Sequence, residues 1–188
     1  MEQPSRHLFV QIDQRYRKKA VWLLGLATAM LLWAESAVDG PLRTAWAPNG
    51  IISFELAKSF TVAQKIMASW NPNAKLYAAF SLGLDYLFLV AYSLFLALAV
   101  FSVAKIFKER SKGFFRIGLL LAWLQFLAAV FDALENGFLI RLLFGAQNSW
   151  FSLFAFYCAT LKFLFVLSGI VYIFSGLTAY AFMRRRNP

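Results

Sequence analysis

The chain has 188 residues, of which 61% are hydrophobic and only 15% charged. A soluble domain carries about 45–50% apolar and about 25% charged residues, so this composition excludes a water-soluble globular domain and requires a bilayer as solvent. One cysteine (Cys158) and one histidine (His7) exclude a disulfide scaffold and a histidine-built metal or haem site.

The net charge of +10 is shared with nucleic-acid binders, but the charges are arranged for another purpose. Arg6, Arg15, Arg17, Lys18 and Lys19 precede the first apolar run. Lys105, Lys108, Arg110, Lys112 and Arg116 separate the second from the third, and Arg184, Arg185 and Arg186 follow the fourth. The two remaining connections are sparser in Lys and Arg. Short basic loops stay cytoplasmic, which predicts four spans with both termini inside, as in a bacterial inner membrane, and no nucleic-acid partner. Attraction to anionic lipid headgroups is a by-product.

About 20 helical residues cross the hydrocarbon core, and apolar length places spans over 20–38, 76–104, 114–140 and 150–183. The fold class is therefore all-α: an antiparallel bundle of four transmembrane helices in one domain. The first span, with its basic start and the small residues Ala34 and Ser36, resembles a secretory signal but is expected to remain as an uncleaved helix. Between spans 1 and 2, turn signals at Pro41, Pro48, Asn49 and Gly50 and at Asn71, Pro72 and Asn73 leave 51–70 as one amphipathic helix. Glu55, Lys58, Lys65 and Ser69 fall on its polar face; Ile52, Leu56, Phe60, Ala63, Met67 and Trp70 fall on its apolar face. It is expected to lie on the outer membrane surface, with Glu55 and Lys58 paired in solvent. The alternative is that it lids a cavity between the spans.

Charges inside spans are costly, at least ~2.5–3.5 kcal/mol each. Five acids occupy the spans or their outer ends: Glu35, Asp39, Asp85, Asp132 and Glu135. At 1.5 Å per residue, Asp85, Asp132 and Glu135 sit roughly 8–13 Å below the outer helix ends, and Lys162, the basic residue of span 4, roughly 18 Å below Trp150. Asp132, Glu135 and Asn136 share one face, with Gln125 two turns below; Asp85 is in register with Ser81 and Tyr92. Lipid offers these stripes no partner, so they are expected to turn inward. The candidate ligand-binding or proton-relay residues are thus Glu35, Asp39, Asp85, Tyr92, Asp132, Glu135, Asn136 and Lys162, with Lys162 paired to Asp132 or Glu135. Carboxylates in low dielectric take up protons unless a cation holds them ionised, so the site suits protons, a cation, or a ligand bearing an amine or hydroxyls.

Glu35, Asp39 and Gly40 repeat the spacing of Asp132, Asn136 and Gly137, an echo that marks either a two-plus-two duplication or the common use of Asx-Gly at helix ends. Asp39, Gly40 and Arg43 open like the motif of CDP-alcohol phosphatidyltransferases, but the later aspartates are absent. No phosphate loop, zinc-protease motif or nucleophile elbow occurs, and no catalytic residue, cofactor or metal is assigned. Cys158 reads as a packing residue. A four-span chain with intramembrane acids, an amphipathic stretch after span 1 and a basic C-terminus resembles the sterol-isomerase-like EXPERA proteins in layout, without a diagnostic motif. That resemblance implies only a hydrophobic ligand whose polar group is oriented by buried carboxylates.

Three functions fit these residues. The first is a membrane protein that binds or processes a lipid or small amphiphile. The second is a proton- or cation-coupled transporter or channel subunit, acting as a homo-oligomer. The third is a non-catalytic assembly subunit of a larger membrane complex.

Overall fold

The computed structural model describes residues 14–186; Arg6 and His7, in the N-terminal segment read above as cytoplasmic, lie outside the described residues. Six α-helices follow in order: α1 (Gln14–Val38), α2 (Ile51–Glu55), α3 (Phe60–Ser69), α4 (Pro72–Ile106), α5 (Lys112–Leu143) and α6 (Ser149–Arg186), with a 3-10 turn at Gly40–Leu42. No strand occurs among the described residues. Four of these helices are long and apolar enough to cross a membrane: Arg15–Val38, Pro72–Ile106, Lys112–Leu143 and Ser149–Arg185. Each extends beyond the apolar run that marks it in the sequence, because capping and flanking polar residues continue the same helix.

Local chemistry sets the helix starts. Asn71 accepts from the Ala74 N–H at 2.8 Å with Pro72 in the first turn, where a missing N–H costs nothing. Ser111 accepts from the Phe114 N–H at 3.4 Å, a weaker cap.

The segment 51–70 is not one helix. The helix stops after Glu55, Leu56 to Ser59 form a break, and Ser59 starts α3 by accepting from the Val62 N–H at 3.3 Å. The expected faces change accordingly. Ile52 and Leu56, assigned to the apolar face, are 44% and 41% exposed, while Glu55, assigned to the polar face, is buried. The break lets α2 and α3 turn different sides inward, so Phe54, Ala57, Ala63, Ile66 and Trp70 join one core cluster with Leu82, Leu139 and Ala155. Trp70 Nε1 donates to the Leu42 carbonyl at 2.9 Å, and the Thr44 and Ser69 hydroxyls are 2.7 Å apart. The connection between the first two long helices is thereby folded onto one end of the molecule as a cap. Lys58 is not paired with Glu55; its ammonium lies 5.7 Å from the Phe156 ring centroid.

Helix α4 is the central element, packing against α1, α5 and α6, and α5 packs along α6. Helix α1 is held differently. It packs along α4 and the 3-10 turn rather than extensively on α5 or α6, and it exposes Trp22, Leu26, Met30 and Trp33. Neither α5 nor α6 packs along it as α4 does. Away from the cap, a second cluster gathers Phe101, Phe107, Ala122 and Tyr172, with Tyr172 donating to the Phe114 carbonyl at 2.8 Å. The Asx-Gly echo does not mark two helix ends: Asp39 and Gly40 follow α1, whereas Asn136 and Gly137 lie inside α5.

Candidate functional site: an acidic-headed cavity beneath the cap

The polar residues of α4, α5 and α6 meet under α2. Lys162, brought inward by α6, is 6% exposed. Its Nζ donates to Asp132 Oδ1 at 2.8 Å and lies 2.9 Å from Glu135 Oε2 and 3.5 Å from Glu55 Oε2. The sequence leaves its partner open between Asp132 and Glu135; both are within reach, because Asp132 and Glu135 are three residues apart on one helical face. Tyr92 on α4 donates to the other oxygen of Asp132 at 2.9 Å. Asp132 therefore joins α4, α5 and α6 through one carboxylate. Such a cluster is strongly interdependent, since removing one member leaves the others buried and uncompensated.

A second group lies toward α1. Asn136 donates through Nδ2 to Asp85 Oδ2 at 2.6 Å, and the Ser81 hydroxyl donates to Glu35. Neither Asp85 nor Glu35 has an ion-pair partner among the described residues. Asn136 is fully buried and its Oδ1 has no hydrogen-bond partner, as is also true of Glu35 Oε1 and Glu135 Oε1. A buried acceptor without a donor is costly, so this side of the site is short of donors.

A cavity of about 740 Å³ joins the two groups. That size falls within the range of small-molecule sites. Glu35, Ser81, Asp85, Asp132, Asn136, Tyr92 and Lys162 line it, with Ile51, Ile52 and Glu55 of α2 beneath the cap. Ser36, Asp39, Arg43 and Asn49 add to the polar end, and the wall further along is apolar apart from Thr28: Leu32, Phe88, Phe95, Leu96, Val166 and Ile170. From Ser81 to Leu96 along α4 the cavity extends roughly 22 Å. It is polar at the capped end and apolar further from it. Helices α1, α4, α5 and α6 all contribute lining residues.

Of the sequence-derived candidates, Glu35, Asp85, Tyr92, Asp132, Asn136 and Lys162 come together around the cavity, while Glu135 stands behind Lys162 and does not line it. Asp39 also lines the cavity, and its carboxylate holds the start of α2. It accepts from the Ile51 N–H at 2.9 Å and from Arg43 Nε at 2.9 Å, which fixes the start of α2. Gln125 is not part of the site; its amide donates to the Leu121 and Phe165 carbonyls, both at 3.0 Å, and ties α5 to α6. Glu55 belongs to the site although its period in the sequence put it on a solvated face. Burial pushes its carboxyl above the ordinary value, with Lys162 opposing the rise. No signal in the sequence distinguishes Phe88, Leu96, Val166 and Ile170 from other apolar residues of the same helices.

Chemically, one ammonium faces several carboxylates. The excess acceptors and negative charge suit a donor-bearing or cationic group, with apolar surface alongside for a hydrocarbon. Among the described residues no cluster of three or more His, Cys, Asp or Glu is arranged to hold a metal ion. Compared with protein-family models, curated proteins and solved structures, the chain matches none.

Proposed function

We propose that this chain spans a membrane four times as an antiparallel bundle, with both termini cytoplasmic, and binds or processes a lipid or small amphiphile in the cavity beneath the cap. A bacterial inner membrane is the setting the basic loops fit. The observation that carries this reading is the polarity of the cavity wall: acids, Asn136 and Lys162 at the capped end, hydrocarbon beyond. A uniformly polar wall would suit a permeating ion, and a uniformly apolar one a packing void. A wall divided along its length matches an amphiphile with its head under α2 and its chain between α1, α4 and α6, entering from the membrane beside α1.

Proton or cation transfer is less well supported. The hydrogen-bonded groups end at Tyr92, and the cavity continues past Phe95, Leu96 and Ile170 without a polar lining residue except Thr28. Thr28 donates to the Leu24 carbonyl of its own helix at 2.8 Å. A purely structural cluster in an assembly subunit would account for Lys162, Asp132 and Glu135 but leaves the cavity and the unpaired Asp85 without a role.

Native mass spectrometry of the protein extracted in mild detergent tests the proposal. The unmodified chain should retain a specific lipid or small molecule. The Asp85→Asn, Asp132→Asn double variant should lose it, as should Leu96→Trp, which fills the apolar end without touching the acids. A folded protein that retains nothing, or retains the same mass in all three forms, would refute the binding reading.

A further inference from the structure

Resting on that reading, we infer that the amphiphile is an amine: a single hydrocarbon chain ending in a protonated primary ammonium, which docks between Asp85 and Glu35. Lys162 already serves three carboxylates, Asp132, Glu135 and Glu55. Asp85 and Glu35 line the same cavity and have no cation. Their hydrogen bonds come from Asn136 and Ser81 respectively, neutral donors, so a docked ammonium is the cation that holds them ionised.

Charge alone would admit any cation. Asn136, a fully buried residue of the cavity lining, narrows the choice, because its Oδ1 has no donor to meet it. Glu35 Oε1 is in the same condition. Filling these acceptors needs N–H groups, and a primary ammonium has three donors and no acceptor. A hydroxyl head has one donor and brings its own lone pairs among acceptors. A carboxylate or phosphate head adds negative charge beside Asp85. A quaternary ammonium has charge but no donor. The apolar wall from Phe88 to Leu96 and Ile170 then takes the chain, which separates an amphiphilic amine from a free small cation.

The test measures binding of dodecylamine, dodecanol, dodecanoate, dodecyltrimethylammonium and ammonium chloride to the full-length protein in nonionic detergent, each below its micelle concentration. Dodecylamine should bind at least about tenfold more tightly than the other four, since a charge-assisted hydrogen bond in a buried site has about that worth. Asp85→Asn should abolish most of this preference, and Glu35→Gln carries the same test if the first variant does not fold. Leu96→Trp should weaken dodecylamine. If dodecanol or dodecanoate binds as well as the amine and is displaced by Leu96→Trp, the cavity reading stands and the amine inference fails. If the quaternary ammonium matches the amine, charge rather than donor number sets the choice and the inference fails in that form. Tight binding of ammonium chloride would reassign the site to a free cation. If none binds to folded protein, both readings fail together.

Discussion

Lys162 Nζ and Asp132 Oδ1 meet at 2.8 Å, and the same Asp132 accepts from Tyr92 at 2.9 Å. One carboxylate from α5 thus fixes α6 and α4 at the depth where the cavity changes from polar to apolar. Lys162→Met should therefore destabilise the protein by about 3–5 kcal/mol, the cost of leaving buried carboxylates uncompensated. Combining it with Asp132→Asn should restore part of that loss. Thermal unfolding in detergent followed by circular dichroism provides the cycle. Additive effects of the two substitutions would mean that the pair does not act as a unit.

Asp39 supports the start of α2 by accepting from the Ile51 N–H. Removing its acceptor in Asp39→Ala frees the Ile51 N–H and should raise amide exchange over 51–55 about tenfold, by the worth of one charge-assisted hydrogen bond. Gly50→Ala should loosen the same segment, because Gly50 has φ +58° and an added Cβ would meet the Asp39 carboxylate. Unchanged exchange in both variants would remove Asp39 from the support of α2.

Glu55 gives the cap a pH dependence of defined sign. Its carboxyl is held above the ordinary value of 4.5, chiefly by burial. The folded form then binds a proton that the undocked form releases, so docking of α2 is favoured below that value and weakens as pH rises above it. Exchange over 51–55, corrected for its intrinsic pH dependence, should accelerate from pH 5 to pH 8. Glu55→Gln should flatten the profile. A profile that slows with rising pH, or one that persists in the variant, would contradict this assignment.

The topology is open to a direct check. In an inner membrane, a fluorescent-protein fusion after residue 186 should fold and fluoresce, and an alkaline phosphatase fusion within 43–50 should be active outside. The reverse pattern would invert the molecule.

Much of this architecture can be read from the chain because its physics is local. Four apolar runs specify four long helices, and the three- and four-residue spacing of Asp132, Glu135 and Asn136 places them on one face. Period also relates Ser81, Asp85 and Tyr92, which all line the cavity. The cap resists such reading. Period treats Glu55 as solvated because its partner Lys162 lies on a distant helix, and a buried ion pair has no local signature. The break at Leu56 to Ser59 contains neither Pro nor Gly, so only the Ser59 cap marks it. Asp39 is ambiguous in sequence for a related reason: its acid-at-a-helix-end position suits either a ligand or a cap, and its contacts to Ile51 and Arg43 are visible only in the fold. The apolar end of the cavity has no contrast against its own helices.

The most direct measurement is photolabelling of the protein in liposomes by a dodecyl amphiphile with a diazirine at the end of its chain, followed by peptide mapping. Labels should fall on cavity-wall residues such as Leu96, Val166 and Ile170, compete with unlabelled amphiphile and disappear in Leu96→Trp. Labels confined to the outward, exposed residues Trp22, Leu120 and Leu167, and insensitive to competitor, would show an ordinary lipid-facing surface and contradict a binding cavity.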